Sequence, residues 1–553
     1  MKTNVSLCIA AALMVVACGD PSHRHNSGEK VSVINSTPDE VTPDEVIEED
    51  VEITSNEAAL MEPSANATSK MILSSPPPPP QQRNAETYKE IKENSFVAVA
   101  QQPVTTFSAD VDRAAYANVR RIIGYGQIPP KDAVRIEEMV NYFDYDYPAP
   151  EEGSVSPLRV SPELAPAPWN PNHLLLRIGL QAKKIDLAQA PPSNIVFLID
   201  VSGSMDEENK LPLLQSSFKM LLGQLRPDDK VAIVTYANGT KVVLPSTSVK
   251  DKEKIIKVLD NLYASGGTSG GRGIQLAYEQ AQKSFIKNGN NRIILATDGD
   301  FNIGINNTTD LEKFIEKQRE SGIYMSVLGF GMGNYRDDMA ETIADKGNGN
   351  YAYIDNITEA KKVLVNELSG TLFAVAKDVK LQLEFNPKYV KEYKLIGYEN
   401  RMLANEDFTN DKKDAGEIGA GHTVTALYEL VPSDGKVAQS LRYQSQELNE
   451  KGKGNELGFL KIRYKDPKVK DAKSVEITEP LVFNKKALKE TSTDYRFAAS
   501  VAEFGILLRD NSNKANATYD QVIELAEGAI GKDPEGYRKE FVRLVKSVKM
   551  LPK

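Results

Sequence analysis

Between Asn194 and Leu368, short apolar runs alternate with stretches of helical periodicity, and this alternation constrains the fold more than any other feature of the chain. The runs Ile195–Ile199, Val231–Tyr236, Lys241–Leu244, Arg292–Ala296, Tyr324–Leu328 and Tyr351–Ile354 have the length and β-branched content of strands. Between them, apolar residues recur at helical spacing over Leu213–Leu225, Lys250–Tyr263, Gly271–Ile286, Leu311–Ser321, Asp337–Asp345 and Thr358–Leu368. A strand that is apolar at every position must be covered on both faces, and helices between parallel strands provide that cover. The pattern predicts a doubly wound, mostly parallel α/β sheet. Ligand sites in such sheets lie beyond the carboxyl ends of the strands.

The first of these strands stops abruptly at such an end, in the sequence IVFLIDVSGSM (Ile195–Met205). Taken alone, Asp200, Ser202 and Ser204 fit a nucleophile turn, a phosphate loop, a metal site or a plain polar turn. Two further pieces belong to the same predicted sheet edge: Gly266-Gly267-Thr268-Ser269-Gly270-Gly271, between two helices, and Thr297-Asp298-Gly299-Asp300, at the end of the Arg292–Ala296 strand. Together they offer carboxylates and hydroxyls, with no nitrogen or sulfur ligand. Oxygen-only ligation suits a hard octahedral cation, Mg²⁺ ahead of Ca²⁺.

Catalytic alternatives lack partners. A serine nucleophile needs a base, yet the four histidines are His23, His25, His173 and His422, all outside the α/β segment, and there is no G-x-S-x-G elbow. The run Gly329-Phe330-Gly331-Met332-Gly333-Asn334 imitates a dinucleotide fingerprint after a strand, but Asn334 stands where the third glycine belongs. The Gly266–Gly271 loop follows a helix and has no Walker lysine. No nucleotide, and no enzymatic activity, is expected. The net charge of −10 supplies no phosphate-neutralising surface, so nucleic acid is not an expected partner.

The flanks read differently. Lys2 and the apolar stretch Val5–Ala17 form a secretory signal too short for a membrane span, ending in Val15-Val16-Ala17-Cys18. This ending resembles a bacterial lipobox, which implies acylation of Cys18 and an anchor in the cell-envelope membrane. From there to about Gln102 the chain is polar, with the tandem PDEVTPDEV (Pro38–Val46) and five prolines (Pro76–Pro80). Such a segment cannot bury enough apolar area to fold and reads as a tether of roughly 50 Å. Helical spacing follows over Ala109–Tyr125 and Asp132–Phe143, and strand-like runs over Leu174–Leu180. After Gly370, alternating strands return, and helical patterning closes the chain from Tyr495 to Leu551. The expected organisation is a signal at 1–17, a tether at 18–102, a helical region at 103–156, β strands at 157–192, the α/β domain at 193–370, a second β region at 371–487 and terminal helices at 488–553. The α/β domain would then be inserted into a β-sandwich.

D-x-S-x-S, a glycine-flanked threonine and a T-D-G acid, in that order, resemble the metal-ion-dependent adhesion site of von Willebrand factor A domains. The flanking runs FSADVDRAAYANVRRI, DAVRIEEMVNYFDYDYP, LIGYENRMLANEDF and DAGEIGAGHTVTALYE resemble one bacterial family of envelope lipoproteins carrying such a domain. The likeness extends from about Thr106 to Leu551. It implies that Ser202, Ser204 and Thr268 offer hydroxyls to a Mg²⁺ ion, with Ca²⁺ or Mn²⁺ as substitutes, and that Asp200 and Asp298 supply carboxylates. It also implies an open position for a carboxylate from a partner protein. A metal-independent structural or assembly subunit, using the β and helical flanks as its interface, is the alternative expectation.

Overall fold

The computed structural model describes residues 85–109, 112–267, 270–299, 308–434, 454–469, 472–510 and 514–552. The signal, Cys18, the tether as far as 84, Thr268, Ser269 and Asp300 lie outside them. Residues 85–102, expected to belong to the tether, are instead bonded to the fold: they contribute strand β1 (Val97–Ala98), and Val99 is buried. Their composition hid this, because an extended strap is held by backbone and side-chain hydrogen bonds rather than by an apolar face.

Strand β2 (Val104–Ser108), helices α1 (Ala114–Gly124) and α2 (Ile136–Asn141), and the hairpin β3 (Leu158–Ala167) and β4 (Asn170–Ala182) come next. The α/β domain then opens on β5 (Ser193–Asp200), followed by α3 (Leu211–Gln224), β6 (Lys230–Tyr236), β7 (Thr240–Ser248), α4 (Lys252–Asp260), α5 (Gly270–Lys283) and β8 (Asn290–Thr297). It continues with α6 (Thr308–Arg319), β9 (Ile323–Gly329), α7 (Asp337–Lys346) and β10 (Tyr351–Tyr353). The sheet order is β10-β9-β8-β5-β6-β7, parallel throughout except for β7. This is the doubly wound α/β architecture expected from the alternation.

Every residue of β5 is buried, for the reason its composition suggested. Val196 and Leu198 pack with Ile274, Leu311 and Ile343 of the helices on one face. Ile195, Phe197 and Ile199 pack with Leu214, Phe218 and Leu259 on the other. The two-residue period of a strand divides its side chains between the two layers, and Phe197 stacks on Phe218 with ring centroids 4.1 Å apart.

Beyond the domain run β11 (Ala374–Phe385), β12 (Val390–Ile396), β13 (Gly416–Gly419), β14 (Thr423–Pro432), β15 (Glu456–Lys465) and β16 (Val475–Val482). They combine with the early strands into two sheets, β1-β12-β14-β4-β3 and β13-β11-β15-β16, with β2 also paired to β11. A single apolar core lies between the sheets. The sandwich therefore begins earlier than expected, since β2 falls within the stretch read as helical. The α/β domain leaves it after β4 and rejoins it at β11. Helices α1 and α2 share a second core with the terminal helices Thr493–Leu508, Tyr519–Glu527 and Tyr537–Met550.

Candidate metal centre

Parallel register sets the site. Ile199 of β5 lies beside Ala296 of β8, so Asp200 and the Thr297-Asp298 pair leave adjacent strands at one edge. Both aspartates have no solvent exposure. Asp200 accepts the Ser202 amide on Oδ1 at 2.9 Å and the Thr297 hydroxyl on Oδ2 at 3.4 Å. The Gly299 amide donates back to Thr297 Oγ1 at 3.0 Å, closing the turn that carries Asp298. Ser202 and Ser204 bring their hydroxyl oxygens within 3.1 Å of each other.

The glycine-rich loop is bonded to the first. Ser265 donates its amide to Val201 O at 2.8 Å, and Gly203 donates to Gly266 O at 2.9 Å. Gly266 sits at φ +78° with Asn238 packed where a Cβ would stand, so only glycine fits there. This arrangement brings the chain to Gly267, the neighbour of Thr268, against the Asp200 loop.

One member of the cluster was not predicted from sequence. Lys210, only 3% exposed, places its ammonium 2.8 Å from Ser204 O, 3.2 Å from Asp298 Oδ2 and 3.1 Å from Glu207 Oε1. The available signal was a single lysine closing the acidic turn Asp206-Glu207-Glu208 just before a buried helix. Gly331 makes room for its stem: at φ +76°, a Cβ there would collide with the Lys210 methylenes. Gly329 likewise admits Tyr335. Two of the dinucleotide-like glycines, Gly329 and Gly331, are thus packing positions, whereas Gly333 faces open space at φ +97°.

Burial pushes the Asp200 carboxyl up to about 7, the Asp298 charge adds to the rise, and the bonds from Ser202 oppose it. Two buried carboxylates stand at this edge with one ammonium, which pairs with Asp298 alone of the two, and the remaining donors are hydroxyl and carbonyl oxygens. That donor set fits a small, hard divalent cation, which would balance the excess negative charge. Among the described residues, no three His, Cys, Asp or Glu side chains form a metal cluster; the set here is two acids with hydroxyls. Neither described histidine is part of it. His173 bonds Glu429 at 2.6 Å in the sandwich, and His422 packs against Gly370. Among the described residues, the serines therefore have no imidazole base.

The family model described as von Willebrand factor type A domain matches residues 194–366, the one described as von Willebrand factor matches 82–177, and that of the C-terminal region of the uncharacterized protein YfbK matches 370–551. The chain is 48% identical over 465 residues to the uncharacterized protein YfbK of Escherichia coli, covering 83% of this chain and 80% of that protein. It is 26% identical over 326 residues to the uncharacterized protein sll0103 of Synechocystis, covering 59% and 74% respectively. A solved von Willebrand factor type A structure from Catenulispora acidiphila is 15% identical, covers 70% of this chain and 89% of its own, and superposes with a TM-score of 0.39. A domain of this type points to protein–protein interaction. The chain belongs to the family of bacterial von Willebrand factor type A domain proteins represented by YfbK.

Proposed function

We propose that the α/β domain is a divalent-cation-dependent protein-binding module, non-enzymatic, on a chain anchored in the bacterial envelope through acylated Cys18. Asp200, Ser202, Ser204 and Asp298 would hold the cation together with Thr268, with Mg²⁺ the best fit and Ca²⁺ or Mn²⁺ able to substitute. When bound, the cation supplies a Lewis-acidic position that a carboxylate of a partner protein completes. The chain's own residues supply the geometry: the Ser202 amide and Thr297 hydroxyl orient Asp200, and Lys210 steadies Asp298 and the Ser204 carbonyl.

The observation that carries this reading is the pair of fully buried carboxylates, Asp200 and Asp298, with Lys210 as the ammonium beside them. Burying charge without compensation is costly, and a second positive group at this edge removes the cost.

Calorimetric titration of Mg²⁺ into the protein tests it. Saturable uptake is expected, and Asp200→Ala is expected to abolish uptake while the protein keeps its circular dichroism and cooperative melt. Capture of envelope proteins should then require Mg²⁺, and Cys18→Ser should move the chain from the membrane to the soluble fraction. Undiminished capture in excess chelator would sink the metal-dependent module. Capture that survives Asp200→Ala but is lost without the sequence after Asp378 would favour an assembly role for the flanks.

A further inference from the structure

The first described residues do not simply lead into the fold; they grip the loop behind the candidate site. Ala85 donates its amide to Gly333 O at 2.8 Å, Thr87 donates to Tyr335 O at 3.0 Å, and Asp337 donates to Thr87 O at 3.1 Å. Thr87 and Arg336 form a parallel bridge, and the Thr87 hydroxyl reaches Asp338 at 2.7 Å. Between two exposed neighbours, Glu86 turns inward with its side chain 2% exposed. Its carboxylate accepts the Gly333 amide at 2.9 Å and pairs with Arg121 of α1 at 2.8 Å. Farther along, the Ile91 amide donates to Asp132 and the Asn94 side chain to the carbonyls of Leu395 and Gly397, so the segment is fixed at both ends.

The gripped loop is the one that backs the metal centre. Gly331 lies against the Lys210 stem, and Lys210 bonds both Asp298 and Ser204 O. Gly299, the residue after Asp298, lies so close to this loop that a Cβ would stand 2.5 Å from the Arg336 amide nitrogen. A short run of contacts therefore joins Glu86 to Asp298 by two routes, one through Lys210 and one through Gly299.

We propose that Ala85–Thr87 is a clamp on the cation site, in which Glu86 is a positioning residue: it holds the Gly331–Arg336 loop, and through it Asp298 and Lys210, in the arrangement that binds a divalent ion. The proposal rests on the reading of that site as a divalent-cation centre. Groups behind a metal's ligands set their orientation, and loosening them weakens affinity without removing a ligand.

The test uses the full chain and Mg²⁺ alone. Glu86→Ala removes the inward carboxylate, and Thr87→Pro removes the amide given to Tyr335 and with it the bridge. Each is expected to raise the Mg²⁺ Kd about tenfold, with circular dichroism showing both variants still folded at the temperature of the titration. Glu86→Gln, which keeps an acceptor for the Gly333 amide, is expected to recover part of the affinity. Hydrogen exchange gives a second readout: in both disruptive variants, faster exchange should spread from Gly333 and Asp337 to the amides of Gly299 and Lys210. An unchanged Kd in both variants, or faster exchange confined to the strap, overturns the clamp. If the unaltered chain takes up no Mg²⁺, the metal reading falls, and exchange at Gly299 and Lys210 alone decides whether the clamp stands.

Discussion

Lys210 shows how much a single buried charge can matter. Its ammonium faces the fully buried Asp298, so removing it takes an opposite charge away from an acid that water does not reach. Lys210→Met is expected to cost about 3–5 kcal/mol of stability in chelator, with much of that restored by Mg²⁺. Thermal melts with and without the ion would check this, and an equal loss in both conditions would contradict it. The acids and serines of the site were legible in the sequence because D-x-S-x-S is local and a T-D-G acid ends a recognisable strand. Lys210 was not, because its role comes from where α3 starts relative to β8, and no spacing along the chain encodes that distance. The role of Glu86 was hidden for the same reason: its partners, Arg121 and Gly333, stand 35 and 247 residues away.

At the scale of elements, apolar runs predicted the parallel strands well because burial on both faces leaves little freedom in composition. Half-buried and edge strands were harder: β13 is four residues long and β2 carries two threonines, so neither stands out from a polar loop. The helix Thr493–Leu508 shows a different feature, an acid inside an apolar core. Glu503 has no solvent exposure, and burial pushes its carboxyl up to about 8, opposed by the Thr518 backbone. Because the folded state holds this proton more tightly than the unfolded chain, stability is full below about 4.5 and falls as pH rises toward 8. At pH 7 the loss is about 3 kcal/mol. Glu503→Gln is therefore expected to raise stability at pH 7 to 8 and change it little near pH 4. Urea unfolding at the two pH values measures the difference.

Across the whole molecule, buried ion pairs join the α/β domain to the helical layer. Arg120 of α1 reaches Asp355 at 2.5 Å and Glu359 at 2.7 Å, both just beyond β10, and Glu540 of the last helix at 3.0 Å. Arg135 joins Glu138 to Asp337 at the start of α7. Such pairs tie the α/β domain to the helical layer, so the expected behaviour is one cooperative transition. Arg120→Ala strands two buried acids and is expected to cost about 3–5 kcal/mol. It should also split denaturant unfolding into two steps; a single, merely shifted transition would show that apolar contacts alone couple the parts.

The sequence by itself determined the α/β class, the order of its strands and helices, and four described residues that meet at one sheet edge. These follow from hydrophobic periodicity and from strands ending in polar residues, both of which act over a few neighbours. Tertiary structure alone decided that Lys210 completes the cluster, that glycines of a dinucleotide-like run serve as packing positions, and that residues 85–102 belong to the fold. Each of those depends on side chains or backbone meeting across tens to hundreds of residues. Contacts of that range are set by how layers stack, and the pattern along the chain carries no direct record of it.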